Sequence, residues 1–411
     1  MSDDYDDYDR PQPVAVGAPR GRMSRLERVR ARRYRNRRRV FGAAAAALLV
    51  VVVLAAVFLG AKLFGGSGEY SGEGKDDVVI QVHDGDSTTQ IGQTLREANV
   101  VSNVKGFVDA AKDNSAIAAI QPGFYELRTE MSAAAAVQRL ADPKNRVGKL
   151  VIPEGRQLDD VAEVGSGKVT DGIFTLISKA TCVDLNGQRK CVPAEDLRRA
   201  AELTAPAELK VPGWATQPVA ALGNNHRRLE GLVAPGAWNV DPGGTPQQIL
   251  ATLIDESAAH YVNGGLLDTA AAMNMSPYQI LIVGSLVQRE AKPHDFAKVA
   301  RVIYNRLAEP QRLEFDSTVN YPLDRQEVAT TDADRAQVTP WNTYASEGLP
   351  TTPICSPGDE ALAAAERPEP GDWLYFVTVD TDGTTLFTRD YQQHLANIEL
   401  ARHNGVLDSA R

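Results

Sequence analysis

The sequence predicts an α+β protein, with helices segregated from strands. Two observations carry this. Apolar residues recur at helical spacing in about Pro246–Ser257, Pro277–Glu290 and His294–Ala308. Short strand-like runs, Val78–Val82, Leu150–Ile152 and Trp373–Val377, lie away from those helices instead of alternating with them. At 411 residues the chain has room for two or three domains, and 43% hydrophobic residues is ordinary for a globular protein.

Residues 1–39 hold 12 Arg against 6 acids, and the rest of the chain therefore carries a net charge of −15 out of the total of −9. An acidic body argues against nucleic acid as the main partner. The Arg-rich, acid-started segment 1–39 reads as a disordered tail. Val40–Ala61 follows with no charged residue in 22 positions, and about 20 apolar residues span a bilayer as a helix. Arginines on its N-terminal side place that end in the cytoplasm and would be drawn to anionic headgroups. A cleaved signal peptide is the rival, but a 39-residue leader is long for one. The expectation is a single-pass cell-membrane protein with its body outside the cytoplasm, joined by a flexible tether at 62–75.

Residues 76–148 read as a small α/β module. Val78–Val82 is its first strand, Asp86-Ser87 opens a helix carrying Ile91 and Leu95, and a second helix is predicted over Lys105–Ala118. Gly123–Leu127 is another strand, and Ser132 caps a third helix ending near Leu140. A β-α-α-β unit of this size can grip glycan. A larger α+β domain runs over 149–402, with a C-terminal tail at 403–411. Leu150–Gly155 is a strand entering a turn, and Leu158 and Val161 suggest a helix. Residues 181–228, rich in Ala, Pro and charges, form a partly helical insertion. Within it, Cys182 and Cys191 bracket the turn signal Asn186-Gly187, so the pair is spaced for a small disulfide loop that the sequence alone leaves open. Cys355 is left over, and neither the cysteines nor the six histidines have metal-ligand spacing. No metal and no cofactor are expected.

Ser276-Pro277 is a helix start, and Ile280, Val283, Leu286 and Val287 make an apolar stripe that Glu290 continues. An acid on such a stripe is costly to ionise, so its pKa should rise and hold its proton near neutrality, as a general acid requires. The competing reading is a helix-end Glu turned to solvent or paired with Arg289 or Lys292. Asp316, Ser317, Thr318 and Tyr321 cluster near one turn, either contacting substrate or bonding their own backbone. Asn342, Thr343 and Tyr344 lie in a Pro/Gly-flanked loop of the kind that carries ligand contacts, with a loop-stabilising Asn342 as the alternative. His394 has no visible partner and reads as structural.

Read in order, Ile152–Gly155, Leu229-Glu230-Gly231, the run ending Gln288-Arg289-Glu290, Arg301–Leu307, Phe315–Tyr321, Trp341–Tyr344, Gly348-Leu349-Pro350, Leu374–Val377 and Phe387–His394 resemble the MltG/YceG-like endolytic murein transglycosylases of bacteria, over roughly residues 77–402. The resemblance implies a membrane anchor, a LysM-like glycan-binding subdomain at 76–148 and a catalytic domain cutting nascent peptidoglycan strands internally, with peptidoglycan synthases as partners. It implies Glu290 as the essential acid, and 1,6-anhydro-N-acetylmuramic acid ends that stop strand elongation. Asp316, Ser317, Thr318, Tyr321, Asn342, Thr343 and Tyr344 become candidates for substrate binding. Two departures stand out. Gln288 replaces a Glu often found there, and Pro235–Trp238 replaces the usual Pro-Asp-Thr-Tyr. They leave a non-catalytic wall-binding scaffold as the alternative.

Overall fold

A computed structural model describes residues 69–406 except 113, 116, 118–119, 164–166, 324 and 327–329. The expected span Val40–Ala61 lies outside the described residues, among which no single helix is long and apolar enough to cross a membrane. The body is mixed α+β: many helices with small two- and three-stranded sheets.

The N-terminal module has its own core, in which Leu95, Phe107, Leu127 and Met131 are fully buried. Asp77–Val82 pairs antiparallel with Gly123–Arg128, which pairs in turn with Arg146–Val147. Ser87 caps the helix Thr88–Glu97 through a reciprocal bond pattern with Gln90, and Ser132 caps Ala133–Ala141. The second helix is shorter than the sequence suggests, Val104–Lys112.

One residue, Gly148, separates the module's last strand from Lys149–Ile152, the first strand of the larger domain. Gly148 has φ +68°, and its carbonyl accepts from the Val240 amide at 2.9 Å. A Cβ there would lie 2.0 Å from the Val240 carbonyl oxygen, so only glycine fits. Lys149–Ile152 then pairs antiparallel with Gly236–Asn239. A second tie comes from the insertion. Its hairpin Val183–Leu185/Gln188–Lys190 is closed by a Cys182–Cys191 disulfide, and Asn186 at its tip exchanges two hydrogen bonds with Asp77, at 2.9 and 2.8 Å.

Leu158 is buried as the pattern required, but the segment after it is not helical. Val161–Glu163 forms a strand, with Val161 opposite Thr170, and the next helix starts only at Ile173. The Asp160 carboxylate accepts from the Gly172 amide at 2.6 Å, closing the end of the Val161–Thr170 pairing that takes the place of the helix.

The larger core is built around one helix, Pro277–Glu290. Ser276 and Gln279 make a capping box, with Pro277 in the first turn. Every residue from Tyr278 to Val287 except Gln279 is buried, so the helix is surrounded rather than striped. It packs on Leu266–Ala272, Phe296–Ala308 and Asp359–Glu366. Close approach to the last is permitted by Gly284, where a Cβ would lie 3.3 Å from Leu362 Cδ1. Ala291 turns extended and Pro293 follows, so the helix stops where Glu290 leaves the core.

Candidate active site

Glu290 is the last residue of this central helix. It borders a cavity of about 150 Å³ shared with Lys292, Asp295, Val299 and the hairpin residues Phe376, Thr378 and Thr385. The residue keeps some exposure, yet its carboxyl lies deep among protein atoms. Desolvation pushes its pKa up from 4.5 to about 7, and the nearby Asp316 charge adds to this. Ser317, through side chain and amide, and the Arg289 charge act the other way. Glu290 thus stands near its midpoint at neutral pH, suited to give a proton and take one back.

Asp316 opens the short helix Asp316–Asn320, so the turn expected from the sequence is helical. Its carboxylate is held on several sides. It accepts from Thr330 Oγ1 and Tyr344 Oη at 2.7 and 2.8 Å, and from Arg335 Nε and Nη2 at 3.3 and 3.2 Å. Arg335 also lies 5.0 Å from the Tyr344 ring centroid. Tyr344 feels the charges of both Asp316 and Glu290, and burial raises its phenol well above the usual range. Ser317 Oγ is buried beside Glu290 with no well-aligned partner among the described residues, leaving a donor in reach of the acid.

The other candidates are occupied within the protein. Thr318 and Thr343 are buried, with hydroxyls 2.8 Å apart, and the Thr343 hydroxyl accepts from the Phe315 amide. Asn342 is 2% exposed. Its amide donates to the carbonyls of Arg335 and Gln337, and its oxygen accepts from the Tyr344 amide at 2.8 Å. Tyr321 is also 2% exposed, its hydroxyl donating to Glu230 at 2.8 Å. These four hold the loop and the short helix that present Asp316, Ser317 and Tyr344. Gln288 faces away from Glu290, its oxygen accepting from the Gly358 amide at 2.8 Å. His394 stacks on Tyr375, and burial lowers its pKa. Trp238 Nε1 donates to the Ala234 carbonyl at 3.0 Å, within the departure segment.

The sequence reading gave no role to Glu230, which is 1% exposed. The signal was present: Leu229-Glu230-Gly231-Leu232-Val233-Ala234 is an acid in an apolar run, the same logic that singles out Glu290. The cavity-lining hairpin residues were missed because nothing local in Tyr375–Thr388 shows which face meets the central helix.

A family model described as the YceG-like family matches residues 80–400. An endolytic murein transglycosylase of Bacillus subtilis is 25% identical over 325 residues, 78% of this chain and 84% of that protein. One of Streptococcus pneumoniae serotype 2 is 25% identical over 340 residues, 79% of this chain but 58% of that longer protein. A crystal structure of a YceG-like protein from Listeria monocytogenes superposes with a TM-score of 0.50 at 26% identity, covering 78% of this chain and 99% of that one.

Proposed function

The chain belongs to the YceG-like family, and from that premise we propose that it is an endolytic murein transglycosylase, cutting peptidoglycan glycan strands and leaving 1,6-anhydro-N-acetylmuramic acid ends. The observation that carries the reading is Glu290, a carboxyl kept near its midpoint at neutral pH by burial at the end of the central helix. Protonated Glu290 gives its proton to the leaving glycosidic oxygen as the bond to muramic C1 breaks. The muramic C6 hydroxyl then closes on C1, and its proton passes to the Glu290 carboxylate, which restores the acid. Atoms balance without water, and one carboxyl serves twice.

A retaining or inverting hydrolase uses two carboxyls in separate roles. Asp316 is close enough to raise the Glu290 pKa, and this favours hydrolysis as the second reading. Against it, Asp316 is already tied to Thr330, Arg335 and Tyr344, which suits a fixed charge better than a nucleophile or a water-activating base. In our reading Asp316, Ser317 and Tyr344 meet the glycan, and Thr318, Tyr321, Asn342 and Thr343 keep them in place. The N-terminal module, read as LysM-like, grips the same strand. The segment Val40–Ala61 anchors the chain in the cell membrane with the catalytic domain outside, where cutting new strands ends their elongation beside the synthases.

Mass spectrometry of purified glycan digested with the full chain tests this. Anhydro ends are expected from the native protein and none from Glu290→Gln. Reducing ends would establish hydrolysis instead, and an undiminished yield from Glu290→Gln would remove Glu290 from the chemistry.

A further inference from the structure

A second buried acid lies behind the site. Glu230 accepts from the Leu158 amide at 3.2 Å and from the Tyr321 hydroxyl at 2.8 Å, both on Oε2. Its Oε1 is buried without a partner among the described residues, as is the Tyr278 hydroxyl, and Tyr278 belongs to the central helix. Tyr321 directly follows the short helix Asp316–Asn320, and its amide donates to the Ser317 carbonyl at 3.0 Å. Its ring meets Trp341 edge-on at 5.3 Å, with the Arg227 guanidinium over both. A continuous path therefore runs from Glu230 through Tyr321 to Ser317, and Ser317 touches Glu290.

We propose that Glu230 is a positioning residue for the reaction: by gripping Tyr321 it fixes the far end of the short helix and so sets where Ser317 and Asp316 stand against Glu290. This rests on the functional reading above. The Leu158 amide holds the same Glu230 oxygen that accepts from Tyr321, so the carboxyl that grips the Tyr321 hydroxyl is itself fixed by the chain. A hydrophobic residue of the same size would fill the space but leave the Tyr321 hydroxyl unpaired. The groups facing Glu230 are Tyr321, Tyr278, Cys355, Arg227 and Asp159. Burial outweighs all of them and raises the Glu230 pKa to about 8. The grip is therefore that of an uncharged carboxyl over the range in which Glu290 works.

The test uses the full chain and four variants: Glu230→Ala, Glu230→Gln, Tyr321→Phe and Glu290→Gln. Two quantities are read in each, the kcat and KM for release of anhydro ends and the midpoint of the Glu290 carboxyl followed by carbon NMR of labelled glutamate. Tyr321→Phe leaves the ring and core in place, so folding is not at issue. It should lower kcat about tenfold, the worth of one buried hydrogen bond. KM should stay within about twofold, and the Glu290 midpoint should move as Ser317 shifts. Glu230→Ala should lower kcat at least as far. Glu230→Gln keeps an accepting oxygen and should restore most of that loss. An unchanged kcat and an unchanged Glu290 midpoint in Tyr321→Phe overturn the proposal, even if the protein melts at a lower temperature. A Glu230→Gln variant that folds but is as inactive as Glu290→Gln overturns it too, since Glu230 would then act as a carboxylate in its own right. If the native chain makes no anhydro ends, the functional reading fails, and the NMR midpoints still decide whether Glu230 sets the environment of Glu290.

Discussion

Glu290 works because its surroundings disfavour its charge, and that has a cost to folding. An unfolded chain ionises this carboxyl near 4.5, whereas the folded one holds the proton to about 7. Between those values the folded state binds the extra proton, so the stability that this proton contributes is full below 4.5 and is lost as pH rises through 7. Glu290→Gln should therefore be more stable than the native chain at pH 8, by roughly 3 kcal/mol at one unit of pKa to about 1.4 kcal/mol. The gap should close by pH 4.5, which denaturant melts at the two pH values would show. A second expectation concerns Asp316. Its charge holds the Glu290 pKa up, so Asp316→Asn should let Glu290 lose its proton at lower pH and shift the alkaline limb of the activity profile downward. An alkaline limb that stays in place would mean that Asp316 does not set the acid.

At the scale of elements, the central helix governs the site by where it begins and ends. Its start was legible in Ser276-Pro277 and its length in the apolar spacing, because capping and periodicity are local signals. That it is buried on all sides was not legible, since burial of the outer face depends on the Asp359–Glu366 helix, some 70 residues away in sequence. Gly284 marks that contact. Gly284→Val would press a branched side chain into Leu362 and should cost about 1–3 kcal/mol, read as a drop in denaturant midpoint without a change in slope. The turn at Asp316–Tyr321 was foreseen as a cluster. Thr318 and Thr343 find each other across 25 residues, which left no trace in the local sequence, whereas Asn342 bonds the carbonyls of Arg335 and Gln337 within its own segment. The strand at Val161–Glu163 replaced an expected helix because it pairs antiparallel with nearby Val169–Thr170 and parallel with Arg325–Gln326, and the second of these partners is far away in sequence.

Across the whole molecule, the N-terminal module meets the larger domain through Gly148, through the Asp77–Asn186 exchange and through Arg146, whose guanidinium donates to Pro122 within the module and Asn239 beyond it, both at 2.8 Å. Asp77→Ala should release the hairpin tip and speed limited proteolysis near residues 186–187, while leaving each core intact. A single glycine between two cores gives neither one slack to unfold by itself. Differential scanning calorimetry of the native chain should accordingly show one cooperative endotherm across residues 76–402, and Gly148→Ala, which wedges that joint apart, should split it into two.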